Sequence, residues 1–150
     1  MTSLPILAFH SVGDRPLPGD LAHLTATPAL FDRCLGWLAR KGFTSLSLGE
    51  VHSWLKGETE IPPKSICLVF DDGYLDNYEH AYPILAERRI PFAVYLASKF
   101  PERQMPTWWY ALEQLILARE VVTFHHNERE YAFPCGTADE MHAAFATIHH

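Results

Sequence analysis

The run Ser65-Ile66-Cys67-Leu68-Val69-Phe70 is apolar from its second residue on and stops abruptly at Asp71-Asp72-Gly73. Such a stretch, without polar alternation, reads as a strand buried on both faces, and strands of that kind belong to parallel sheets covered by helices. Pro5 to Phe9 and Phe92 to Ala97 are further short apolar runs, Phe43 to Leu48 reads as another strand, and segments of helical periodicity separate them. That strand–helix alternation favours parallel βαβ units, so the expected fold class is α/β.

The helices carry recognisable ends. Thr27 reads as an N-cap with Pro28 at the first helical position, and Leu30, Phe31, Leu35 and Leu38 recur at helical spacing before Gly42. Ser47-x-x-Glu50 is a capping-box pattern for a short second helix that Gly57 should stop. The third helix, roughly Tyr78 to Arg89, presents Ala81, Ile84 and Leu85 to the core. Pro83 is tolerable there only in a first turn or a kink, which predicts a late start near Tyr82. Ser11 to Ala26, rich in glycine and proline, reads as a long loop.

From about Phe100 the βα rhythm is abandoned. Leu112, Leu115 and Ile116 mark a helix, and Val121 to Phe124 with Glu130 to Phe133 read as a hairpin around His125-His126-Asn127-Glu128. Thr137-x-x-Glu140 is a second capping box, leading Met141, Ala144, Phe145 and Ile148 along one face. The expected organisation is one domain over 1–150 with an insertion from about 100–150. Four parallel strands make only about half of a closed βα barrel, which typically needs more than ~200 residues. The chain is therefore expected to be the N-terminal portion of a larger domain, with open faces that favour self-association.

Charge and cysteine usage narrow the partners. A net charge of −6 with no Lys/Arg run argues against a nucleic-acid surface. Three cysteines, Cys34, Cys67 and Cys135, form no CxxC pair, which favours a reducing compartment. The start lacks a basic segment, and its apolar run is only Ile6 to Phe9. No membrane span or signal peptide is expected, and the expected location is cytoplasmic.

The chemistry is expected at Asp71 and Asp72. Residues at the C-terminal end of a parallel strand leave the core and meet substrate. Side chains alternate across a strand, so the two carboxylates should diverge unless the turn re-aims them. Divergence suits a division of labour, one carboxylate on a metal and the other on a proton. A purely architectural turn-and-cap pair is the competing reading, and the strand-end location favours function. His10, at the end of the first strand, should reach the same rim. Asp76 and Asn77 read as helix caps. Trp108 and Trp109 read as core or interface residues ahead of a ligand-stacking platform. The doublets His125-His126 and His149-His150 read as solvated, and a single carboxylate cannot by itself hold a catalytic metal.

As a set, the motifs resemble the polysaccharide deacetylases of the NodB-homology group. The resemblance rests on Phe9-His10-x-Val12, on the Phe31 to Leu38 helix followed by Lys41-Gly42-Phe43, and above all on Val69-Phe70-Asp71-Asp72-Gly73-Tyr74 with Asp76-Asn77-Tyr78. Ala81-Tyr82-Pro83-Ile84-Leu85 and Ile90-Pro91-Phe92-Ala93 look like the same family, and Trp108-Trp109 looks like an insertion seen in one bacterial branch. The resemblance implies a partial (β/α) barrel, the first four strands plus an α/β-hairpin insertion. It implies removal of acetyl groups from an N-acetylated polysaccharide or oligosaccharide, with a divalent metal, often zinc, held by one aspartate and two histidines. Asp72 matches the metal-binding aspartate and Asp71 the catalytic base, with His10 and Tyr74 as candidates for substrate contact. This sequence departs from the pattern at Val69, usually threonine. It has no counterpart of the histidine pair in a His-Ser/Thr-x-x-His run, and the later Arg, Asp and His motifs are absent as well. The chain is therefore expected to be catalytically incompetent alone. The alternative reading is a degenerate, non-catalytic carbohydrate-binding or interaction module. Phosphotransfer through Asp-x-Asp-Gly is disfavoured because Phe70 stands at the first aspartate position.

Overall fold

The computed structural model describes residues 3–14, 21 and 24–149. They fall into two compact units, one of residues 3–14 with Leu24–Pro101 and one of Leu21 with residues 102–149. No helix among the described residues is long and apolar enough to cross a membrane.

The first unit is built on a parallel sheet around one central strand. Strands β1 (Ile6–Phe9), β4 (Thr44–Leu46), β5 (Ser65–Asp71) and β6 (Ala93–Tyr95) form it, and β5 pairs in parallel with each of the other three. β1 runs along Cys67 to Phe70. Cys67 also pairs with β4, while Val69 and Phe70 also pair with β6, so β4 and β6 must share the opposite edge of β5. The sheet is open. Ser65 to Phe70 are all buried, as an unalternated apolar run in a covered central strand requires.

Two further strands, β2 (Ser11–Val12) and β3 (Thr25–Ala26), pair in parallel where the sequence reads as loop. Residues 15–20, 22 and 23 of that expected loop lie outside the described residues. The ladder is two residues long, too short to leave a periodic signal.

Helix α1 (Pro28–Arg40) starts where expected, with the Thr27 side chain accepting from Leu30 N at 3.2 Å. Phe31, Leu35 and Leu38 are its buried face. Helix α2 (Leu48–Leu55) carries the full capping box. Glu50 N donates to Ser47 Oγ at 3.3 Å, and Ser47 N donates to Glu50 Oε2 at 2.8 Å. Ser47 Oγ also donates to Glu50, and this bond, ahead of the backbone one, holds the Glu50 carboxyl below its ordinary range.

The third helical segment resolves the Pro83 misfit. A π-helical turn over Asn77–Ala81 comes first and runs without a break into α3 (Tyr82–Glu87), so the widened turn just before Pro83 is the local distortion that accommodates its ring. The core of this unit joins Phe31, Leu35 and Leu38 to Ile66, Leu68, Phe70, Ala81 and Leu85. At its centre the Phe70 ring is fully buried, 5.6 Å from Phe9, 5.8 Å from Phe31 and 5.7 Å from Phe92 between centroids. Cys67 is buried and Cys34 packs against the core from its margin, as expected of small apolar residues.

The second unit contains α4 (Trp108–Leu117), the antiparallel hairpin β7 (Val121–His126) and β8 (Arg129–Pro134), and α5 (Ala138–His149). The hairpin extends through His125 and His126 and turns on Asn127 and Glu128, both at positive φ, as a two-residue type I′ turn requires. Thr137 caps α5 reciprocally with Glu140. Leu21, Ile116, Val122, Cys135, Ala144 and Phe145 form the core of this unit. Trp109 packs against that core, and Trp108 stays partly exposed beside His149. His125 and His126 are exposed; His150 lies outside the described residues.

Candidate functional site

Strand register brings the expected rim together. Phe9 is paired with Phe70, so the next residues on the two strands are His10 and Asp71. Their side chains meet with His10 Nε2 3.9 Å from Asp71 Oδ2, about a third of each exposed. That separation is long for a hydrogen bond and short enough for an ion pair when the imidazole is protonated. On the other side of β5, Asp71 is in register with Tyr95. Nothing in the apolar run Phe92 to Ala97 singles Tyr95 out, because register between strands is set by tertiary pairing and leaves no local signal.

Immediately after Asp71 the chain reverses sharply. Gly73 N donates to Asp71 O at 2.9 Å, closing a three-residue turn around Asp72, whose φ is +69°. A positive φ at the middle of such a turn is the rare, strained γ form, and a non-glycine residue held there costs of order 1–3 kcal/mol. Strain of this kind persists where the surroundings over-determine it. Asp72 is thereby taken out of simple strand alternation with Asp71. Gly73 follows at φ +72°, and a Cβ on it would stand 2.6 Å from Leu96 Cδ1. The backbone conformation is what requires glycine here; Leu96 is exposed, and the end of its side chain could move aside.

The polar residues after the turn are not caps. Asp76 makes no side-chain cap bond. Instead Ser11 Oγ donates to Asp76 Oδ2 at 2.5 Å, and Asn77 Nδ2 donates to Asp76 Oδ1 at 3.0 Å and to the His10 carbonyl at 2.7 Å. Ser11 and Asn77 are buried. The helix-cap expectation for Asp76 and Asn77 fails because their side chains bond Ser11 and the His10 carbonyl, distant in the chain, and not the first N–H groups of their own helix.

Tyr74 is half-buried, and its carbonyl accepts from Asn77 N at 3.0 Å. It lines, with Gly73, a groove of about 460 Å³ walled by Tyr78, Tyr82, Phe92, Val94 and Leu96. Tyr78 and Tyr82 stack with centroids 5.8 Å apart at 8°, and both are substantially exposed.

Among the described residues no three His, Cys, Asp or Glu side chains cluster closely enough to hold a metal ion. Asp72 offers one carboxylate, and a catalytic divalent site takes about three protein ligands, so the residues described do not make up a complete centre.

The family model described as "Polysaccharide deacetylase" matches residues 58–143, more than half of the chain. YxkH of Bacillus subtilis (strain 168), which carries a polysaccharide deacetylase name, is 30% identical over 96 residues, covering 64% of this chain and 32% of that protein. The poly-beta-1,6-N-acetyl-D-glucosamine N-deacetylase of Escherichia coli (strain K12) is 27% identical over 79 residues, covering 53% of this chain and 12% of its own length. Among solved structures, IcaB from Ammonifex degensii superposes with a TM-score of 0.57 at 28% identity, over 64% of this chain and 39% of that one. The Streptococcus pyogenes deacetylase PplD, solved in complex with acetate, gives a TM-score of 0.59 at 29% identity, over 73% of this chain and 50% of that one. The chain thus spans a third or less of the curated relatives and at most half of these two structures.

Proposed function

We propose, given that this chain belongs to the polysaccharide deacetylase family, that it supplies the carboxylate side of a hydrolytic site removing acetyl groups from N-acetylated sugars of a polysaccharide. The observation carrying this reading is the meeting of His10 and Asp71 at 3.9 Å on the C-terminal rim of two neighbouring parallel strands. Asp71 acts as general base, taking the proton of the water that attacks the amide carbonyl. His10 stands opposite Asp71, with its Nε2 3.9 Å from the carboxylate. Tyr74 and the ring of His10 face the substrate. In fold terms the open four-stranded sheet is read as part of a (β/α) barrel of the NodB type.

Family membership implies a divalent metal, zinc being the candidate, and Asp72 is the residue assigned to it. With one carboxylate on offer, Asp72 would contribute a single ligand to a centre completed by groups outside the described residues. Two measurements test this reading on the 150-residue chain. Isothermal titration with zinc is expected to show no tight stoichiometric site. Acetate release from an N-acetylglucosamine oligomer is expected at background, rising only when the sequence is extended through a His-Ser/Thr-x-x-His segment. Tight one-to-one zinc binding that survives Asp72→Asn would overturn the assignment.

A second reading is a non-catalytic binding module, favoured by the exposed Tyr78–Tyr82 stack beside Gly73. It expects oligosaccharide binding that Tyr78→Ala weakens, with no acetate released even by the extended sequence.

The same unit is expected to self-associate. Among the described residues β6 pairs on one edge only, and Val94, Tyr95 and Leu96 are exposed beside the tyrosine groove. An unpaired apolar edge is a template for another strand. Sedimentation velocity should show dimers or larger species that Val94→Lys disperses. A compact monomer at all concentrations would refute this.

A further inference from the structure

We propose that the buried Ser11–Asp76–Asn77 network is the positioning device that aims His10 at Asp71, with Asn77 as its principal positioning residue. This rests on the reading of His10 and Asp71 as active-site groups. His10 follows β1 and precedes β2, at a point where the chain has left the main sheet and not yet entered the second ladder. Its carbonyl there accepts from the Asn77 amide at 2.7 Å. Asn77 is 5% exposed, and its amide is in turn oriented by Asp76, whose other oxygen accepts from Ser11 Oγ. Both Asp76 oxygens are thus occupied by donors that flank His10 in space. Ser11, the residue after His10, is tied on its backbone as well, donating to Leu24 O at 3.1 Å. The segment is gripped at His10 O, Ser11 N and Ser11 Oγ, which fixes the backbone from which the imidazole projects toward Asp71.

The local helix geometry serves this arrangement. Tyr82 N bonds back to Asn77 O, five residues away, the spacing that defines the π-turn. Asn77 opens this widened turn, and its side chain reaches the β1–β2 junction from there. Single π-turns inside helices recur at functional positions. Asn77 Oδ1 is buried without a hydrogen-bond partner among the described residues. The protein therefore tolerates one unsatisfied acceptor in order to keep the donor on His10.

The test uses the 150-residue chain and reads the placement of His10 without substrate or metal. Carbethoxylation by diethyl pyrocarbonate, followed by peptide mass spectrometry, gives a rate for each histidine separately. Asn77→Asp keeps the shape and loses the donor; Ser11→Ala removes the other end of the network, and Ser11→Thr restores a hydroxyl. The His10 rate is expected to rise about fivefold in Asn77→Asp and in Ser11→Ala, the factor that loss of one net hydrogen bond implies for the held population. Rates at His52 and His125 stay fixed, and Ser11→Thr returns His10 to the parent rate. An unchanged His10 rate in both variants overturns the proposal. So does a parallel rise at His10, His52 and His125, which would show a network that holds the fold and not the ring. Failure here leaves the deacetylase reading standing, because that reading is decided by acetate release and zinc binding.

Discussion

Asp71→Asn is expected to lower acetate release by about 10²–10⁴-fold, the usual worth of a positioned general base, in a protein that joins these residues to a His-Ser/Thr-x-x-His segment. The substitution preserves shape and removes the proton acceptor. His10 would then face a neutral amide, with no charge to pair against. Metal content should stay close to that of the parent protein, because Asp71 is assigned to the proton and not to the ion. Asp72→Asn is the companion variant and should do the reverse, losing metal first and activity as a consequence. Acetate release with metal analysis on both proteins separates the roles. If Asp71→Asn empties the metal site while Asp72→Asn does not, the two carboxylates have been assigned the wrong way round.

Phe70→Ala should destabilise the first unit by about 3–5 kcal/mol, the range for deleting a large buried aromatic side chain. The ring has no exposed surface and meets Phe9, Phe31 and Phe92 within 6 Å. Its removal leaves a void between β1, β5 and α1 that those neighbours cannot all close into. Domains of this size are stable by only about 5–15 kcal/mol, so most of the margin would go. Urea unfolding measures this through the shift in midpoint at unchanged slope. A loss below about 1 kcal/mol would mean the core collapses around the gap far more freely than interiors normally do. The consequence reaches the site, because Phe70 precedes Asp71 on β5 and its packing sets where that carboxylate emerges.

Much of this architecture was legible before any coordinates. The unalternated run through Phe70 marked a covered parallel strand because burial on both faces demands apolar residues at every position. Thr27, Pro28, Ser47 and Glu50 marked helix starts because caps satisfy orphan N–H groups through local bonds, which depend on spacing alone. Pro83 announced a distortion of the third helix for an equally local reason, since its ring does not fit a regular helix interior. Asp71-Asp72-Gly73 stood out because charged residues at the end of such a strand have no place in a core.

What depended on contacts between distant segments was hidden. That β5 sits centrally, with β4 and β6 sharing one edge, follows from pairing across dozens of residues. The meeting of His10 with Asp71, and of Tyr95 with the same rim, follows from register. Asp76 and Asn77 looked like caps because their side chains commonly bond nearby backbone; the packing of this segment against β2 instead brought them to Ser11 and His10, some 65 residues earlier in the chain. Local bonds are chosen among a few neighbours and leave their mark in short spacings. Long-range polar bonds are chosen only once packing has decided which surfaces face each other, and no spacing records that choice.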